Sequence, residues 1–353
     1  MQLRREEIRR WAPWAGKLLL AAVLIAFLMK SLEGNAIASV LARANPLLIT
    51  AAVLLLPINL FFQYQKWRLL VRSRFPFVSP GDVSSSLLLG FTLGIVTPAR
   101  IGEFGGRAAG IRNRNPRTAA ATNGRDEKGV LTATDRMTLV GLTAVDKLAT
   151  MAVTVLVGCC GLLLFCWRHP FMNPVILTAI LLGIVISAAV FLRFRWRAAV
   201  PRTDPAADAA NSTRHDGFLR RRIGDIRRLL RGLDAPLLRA LLLLSLLFYL
   251  TFLLQFFLLL SAFGPVDTLT ALTGISTIML LKTVIPPVTI GELGIREGAS
   301  VFVLGHAGIL AAAAFNASLL LFAINIFLPS IAGLTVLFRA PRSEVRPPLE
   351  AMQ

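Results

Sequence analysis

The chain is short of the residues from which soluble catalytic centres are built. Its 353 positions hold three histidines, three cysteines and 19 acidic residues against 38 basic ones. Cys159, Cys160 and Cys166 fall in one apolar run and the histidines are scattered. No metal-ligand set is in reach of them, and the cysteines read as packing residues within a helix. Clustered Asp, Glu and His of the kind that marks an acid–base or metal centre is also missing. No metal and no cofactor are therefore expected, and a transport-type protein is favoured over an enzyme. A long polar domain is absent too: the longest polar stretch, 193–235, has almost no core-forming content.

What fills the chain instead is apolar. It is 55% hydrophobic with a mean hydropathy of +0.68, and it carries several runs of about 20 apolar residues, as a polytopic membrane protein must. The net charge of +19 would suggest nucleic acid in a soluble protein. Here the charge sits between apolar runs, so the partners expected are anionic lipid head groups, not nucleic acid. The N-terminus, with Arg4, Arg5, Arg9 and Arg10 before an apolar stretch and Ala36-Ile37-Ala38, resembles a signal peptide. Lys30 and Glu33 interrupt that pattern, and the stretch reads as an uncleaved first span.

Six full spans are expected, at about 14–32, 46–65, 139–167, 174–193, 237–263 and 313–338. Between the second and third, and between the fifth and sixth, lies a repeated stretch. Pro98-Ala99-Arg100-Ile101-Gly102-Glu103-Phe104-Gly105-Gly106-Arg107 matches Pro287-Val288-Thr289-Ile290-Gly291-Glu292-Leu293-Gly294-Ile295-Arg296 at six of ten positions. Each copy follows a Gly-dotted apolar run too short for an ordinary span, 87–96 and 275–285. Broken hydrophobic segments at matching points of two halves are a sequence pointer to a transport site.

Basic residues give the orientation. They crowd the N-terminal arm, the stretch from Lys66 through Arg68, Arg72 and Arg74, the tail of the first broken segment, the loop 194–236 and the C-terminal tail. The other side holds Lys30, Arg43, Arg168, Lys282 and Arg296. That bias is satisfied if each broken segment enters and leaves by one face, with both termini cytoplasmic. The expected fold is thus an all-α polytopic membrane protein of about six spans plus two re-entrant hairpins, 83–112 and 269–311. Its halves, 1–168 and 169–353, would form an inverted repeat, since each contains three crossings. Full crossing by the hairpins would make the repeats parallel and break the charge bias from the third span onward. In the loop, Phe218, Leu219, Ile223, Ile226, Leu230 and Leu233 alternate with arginines as in an interfacial amphipathic helix.

Within the repeat, Pro98 and Pro287 end one helix. Gly102, Gly105, Gly291 and Gly294 let the chain reverse or let another backbone approach. If helix resumes, Glu103 and Arg107 share a face at i,i+4, as do Glu292 and Arg296, and a new helix N-terminus beside an Arg is a ready anion site. Two readings stand. Either each pair is a self-satisfied ion pair that pins a hairpin tip, or Arg107 and Arg296 hold a lipid phosphate while Glu103 and Glu292 orient them, couple to protons or meet a cationic head group. Arg100, which has Thr289 as its counterpart, and Lys282 would add positive charge, and Glu297 would cap or pair. Asp146 and Lys147 lie inside the third span, where ionisable groups are functional by default; as neighbours they should meet different partners. His306 reads as a packed residue.

Thr97-Pro98-Ala99-Arg100-Ile101-Gly102-Glu103 and Leu293-Gly294-Ile295-Arg296-Glu297-Gly298 resemble the two signature stretches of the lysylphosphatidylglycerol synthase/flippase transmembrane-domain family. The resemblance runs over roughly residues 15–340. It implies a multi-spanning inner-membrane protein. Some members flip aminoacylated phospholipid, and others are linked to polyprenyl-phosphate sugar pathways or hopanoid gene sets, so a lipid-modifying enzyme is a possible partner. The aminoacyltransferase domain of bifunctional members has no counterpart here and its activity is not expected. The function expected is movement of a phosphate-bearing lipid between leaflets; the alternatives are a membrane-embedded head-group or glycosyl transferase, or a small-solute or ion transporter.

Overall fold

A computed structural model describes residues 34–97, 100–111, 131–169, 233–285 and 294–338. The expected spans 14–32 and 174–193, the amphipathic stretch before residue 233, both chain ends, and Pro98, Pro287, Gly291 and Glu292 lie outside these residues. Every regular element among the described residues is helical. In chain order they are α1 (Gly34–Ala42), α2 (Pro46–Leu54), α3 (Leu56–Arg74), α4 (Pro80–Val96), α5 (Gly102–Gly110), α6 (Ala133–Arg168), α7 (Ala235–Ser261), α8 (Thr268–Val284), α9 (Ile295–His306), α10 (Ala311–Phe322) and α11 (Leu328–Phe338).

Four stretches are long and apolar enough to cross a membrane: Pro46–Arg74, Ala133–Arg168, Ala235–Ser261 and Ala311–Val336. They coincide with four of the expected spans. The second is longer than expected because helix continues through α3 to Arg74. The third starts earlier, at Ala133, where Thr132 and Asp135 form a reciprocal capping box. In the last, α10 passes into α11 through a π turn, Ala323–Phe327. Leu328 N–H donates to Ala323 O five residues back. Pro329 follows and has no N–H to offer, which accounts for the local widening.

The two short apolar helices, α4 and α8, have 17 residues each, or about 25 Å. Ser79 caps α4 by accepting from Asp82 N–H, and Asp267 caps α8 by accepting from Thr270 N–H. Both end one residue before an X–Pro bond. Thr97 (ψ 141°) and Ile285 (ψ 122°) are extended, as a residue preceding proline prefers. The next described helix in each case is shorter and packs back on it: α5 on α4, α9 on α8.

Close approach between α4 and α5 rests on glycines four apart. A Cβ on Gly102 would stand 2.1 Å from Leu93 O, on Gly106 2.6 Å from Leu89 O, and on Gly110 2.3 Å from Ser86 Cα. Gly105, expected to help form the hairpin, faces away with nothing near it. The positive φ that turns the chain falls on Arg100 (55°), not on Gly102; in the second copy Gly294 carries it (89°).

The hairpins lean on opposite halves. α4 packs on α11, α8 on α6, and α3 on α7. Gly333 lets α11 reach the Leu88 carbonyl and Thr92, and Gly158 and Gly161 let α6 reach Leu280 and Ser276. Thr92 Oγ1 donates to Ser330 O and Ser330 Oγ to Phe91 O. Lipid tails are as apolar as leucine, so such small-residue contacts and interhelical hydrogen bonds carry much of the association. One apolar cluster joins α3, α4 and α6 around Trp67, Leu87, Phe91 and Leu142. Another joins α7 to α10 around Phe256, Ile275 and Leu304, with Phe165 of α6.

Candidate functional site

Six ionisable side chains converge where α5 meets α3 and α6. Glu103 stands at the start of α5 and is buried; its Oε1 takes Arg107 Nη2 at 2.7 Å and Lys147 Nζ at 2.7 Å. Arg107 spans the gap to α6, with Nη1 2.8 Å from Asp146 Oδ2. Asp146 Oδ1 lies 2.9 Å from Lys66 Nζ, which also donates to Thr150 Oγ1 at 2.6 Å. Arg100 Nη2 stands 3.2 Å from Glu103 Oε2.

Aromatic faces line the cations. Arg107 lies over Trp67, Lys66 over Phe248 of α7 and Arg100 over Phe91. Trp67 Nε1 donates to Ser86 Oγ, and that hydroxyl donates to the Arg107 carbonyl. The base of the hairpin is thereby tied to α3 as well as α4. Burial is graded: the side chains of Lys66, Glu103, Arg107 and Asp146 are at most 4% exposed, that of Arg100 is 16% and that of Lys147 40%.

The cluster is not neutral. Lys66, Arg100, Arg107 and Lys147 face only Glu103 and Asp146, which leaves two positive charges uncompensated among the described residues. A single charge at membrane depth costs at least about 2.5–3.5 kcal/mol; the four buried side chains meet that cost by pairing two against two, and the surplus lies with Arg100 and Lys147 at the rim. Buried donors remain as well: Arg100 Nε and Arg107 Nε have no hydrogen-bond partner there.

Several expectations are corrected. Lys66 was placed in a cytoplasmic loop; it is 2% exposed inside α3, and no local pattern in the sequence marks it, because its partners are 80 and more residues away. Asp146 and Lys147 do take different partners, yet within one cluster. The first N–H groups of α5 are not open to an anion. Gly102 N–H donates to Thr97 Oγ1, Glu103 N–H to Arg100 O and Phe104 N–H to Ile101 O.

The second copy is built otherwise. Arg296, 3% exposed, pairs with its neighbour Glu297 at 2.8 Å and donates to Ser318 Oγ and O. Glu297 Oε2 also accepts the Gly294 N–H, so it caps α9 and neutralises Arg296 at once. Lys282 closes the last turn of α8, half-buried. His306, expected to be packed, is exposed and bonded to the Phe302 carbonyl of its own helix. Cys160 is exposed and Cys159 and Cys166 half-buried, all three as free thiols. No group among the described residues could hold a metal ion.

A family model for the lysylphosphatidylglycerol synthase TM region matches residues 14–333. The chain belongs to that family. No curated protein matches it. Membership in the lysylphosphatidylglycerol synthase transmembrane family, with four apolar spans, makes this a membrane protein with a lipid-related function. Both family signature stretches, as far as they are described, supply buried charge. The first reaches into α6 and α3 for partners, and the second satisfies itself within α9 and α10.

Proposed function

We propose that this protein is an inner-membrane lipid translocator that carries a phosphate-bearing head group past the six-residue charge cluster. The observation that carries the reading is the surplus of two cations, Arg100 and Lys147, at the rim of a buried and balanced quartet of Lys66, Arg107, Glu103 and Asp146. In this reading α4–α5 and α8–α9 are re-entrant. Nine residues make α5 about 13 Å long, far short of the roughly 30 Å hydrocarbon core. The halves, 1–168 and 169–353, act as inverted repeats with both termini cytoplasmic, and the reciprocal packing of each hairpin on the other half's last span supports that. The basic loop 194–236 rests on anionic lipid heads.

The test is reconstitution in vesicles carrying fluorescent phospholipid, with an impermeant quencher added outside. Protein-bearing vesicles should expose inner-leaflet label that protein-free vesicles protect. Arg107→Ala and Arg296→Ala should slow this. Wild-type rates in both, or no difference from protein-free vesicles with any phosphate lipid, would end the reading.

A further inference from the structure

The charge imbalance also specifies what kind of head group the first hairpin takes. We infer that the cluster selects a phosphomonoester lipid, a head group with nearly two negative charges at neutral pH, over phosphodiester and aminoacylated lipids. This deepens the translocation reading and rests on it for transport, but its binding step stands apart from transport. A phosphomonoester loses its second proton near pH 6 and offers three strong acceptor oxygens. It cancels a surplus of two positive charges; a phosphodiester brings one negative charge, a zwitterionic head none, and a lysyl-bearing head adds positive charge to a site already cationic.

The donors are in place for it. Arg100 Nε and Arg107 Nε lack hydrogen-bond partners among the described residues, Arg100 Nη2 has only its 3.2 Å ion pair with Glu103, and the Arg107 side chain is 1% exposed. Lys147 shares Glu103 Oε1 with Arg107, so it can swing to a phosphate oxygen and leave Glu103 still paired. Arg100 keeps a φ of 55°, a conformation that a non-glycine residue holds only where its surroundings fix it, and this sets its guanidinium between Phe91 and Glu103. Guanidinium and ammonium together on one phosphate make short, charge-assisted bonds. In the second motif, among the described residues, Arg296 faces Glu297 one to one. The two copies therefore do unequal work: the first receives the head group and the second holds its own hairpin closed.

The experiment uses the full chain in detergent and in vesicles, with phosphatidic acid, phosphatidylcholine and lysyl-phosphatidylglycerol as probes and inorganic phosphate as a further arm. Phosphatidic acid should raise the melting temperature and bind at least about tenfold more tightly than the other two lipids. Lys147→Gln should weaken it about tenfold, as loss of one charge-assisted bond implies, and Lys147→Arg should restore it. If Lys147→Gln does not fold, Arg100→Gln gives the same readout. Equal binding of phosphatidylcholine or lysyl-phosphatidylglycerol would overturn the inference, with translocation untouched if flux persists. Equal protection by inorganic phosphate at the same concentration would overturn the lipid assignment. Selective binding of phosphatidic acid without flux of any lipid would uphold the inference and remove the translocation reading. Neither binding nor flux would remove both.

Discussion

Asp146 sits between two cations, and that arrangement predicts an uneven thermodynamic cycle. Lys66→Met removes one cation and leaves Asp146 paired with Arg107, lowering the cluster surplus from two charges to one. Asp146→Asn keeps both cations, removes the carboxylate between them and raises the surplus to three. Breaking one side of a buried pair costs about 3–5 kcal/mol. Asp146→Asn is expected near the top of that range and Lys66→Met near the bottom, since Lys66 also gives up its bond to Thr150 Oγ1 but relieves repulsion elsewhere. The double variant returns the surplus to two and leaves no orphaned charge, so it should cost about 2 kcal/mol less than the sum of the singles. Equilibrium unfolding of the four proteins in mixed micelles with increasing SDS measures all these quantities. Additivity within about 0.5 kcal/mol, or Lys66→Met as the more damaging single change, would refute the cluster as a coupled electrostatic unit.

Gly333→Ala and Gly110→Ala should each prevent correct assembly, seen as aggregation on size exclusion, because their Cβ atoms would meet backbone at 2.3 Å. Gly105→Ala, with open space around it, should be neutral or stabilise α5 by up to about 1 kcal/mol in the same unfolding assay. Arg100→Gly should relieve the positive φ and leave stability within about 1 kcal/mol of wild type, while slowing lipid flux in vesicles. Asp267→Asn should weaken the start of α8. The Thr270 hydroxyl and N–H, followed by Arg168, hold the Asp267 carboxyl below its usual value. Its contribution is therefore present above the ordinary carboxylate range and is lost as pH falls through the lowered value, so the acid limb of a melting-temperature profile should flatten in the variant.

Residue periodicity and hydropathy were enough to place α2–α3, α6, α7 and α10–α11, because a run of about 20 apolar residues has few alternatives. The duplicated motif located α4–α5 and α8–α9 to within a few residues; the helices expected to end at Pro98 and Pro287 end at Val96 and Val284, since a residue before proline is pushed out of the helical region. The Glu103–Arg107 pair followed from helical spacing alone. What could not be read was non-local. Lys66 looked like the first charge after a span, and only the packing of α3 against α6 turns it into a partner of Asp146. Glu297, expected to cap or pair, does both; what spacing did not reveal is that Ser318 arrives from α10 to hold both side chains. Repeat symmetry suggested two equivalent sites, whereas packing brings Lys66 and Lys147 from α3 and α6 to the first.

The way each helical hairpin props against the last long helix of the opposite half, α4 on α11 and α8 on α6, ties the halves together like crossed arms. Among the described residues each hairpin packs on a helix of the other half, so a chain severed between α6 and α7 should assemble only when both pieces are made in the same membrane. Any tilt of α6 must drag α8 with it, and any tilt of α11 must drag α4. A displacement that starts in one hairpin is in this way passed to a long helix of the other half.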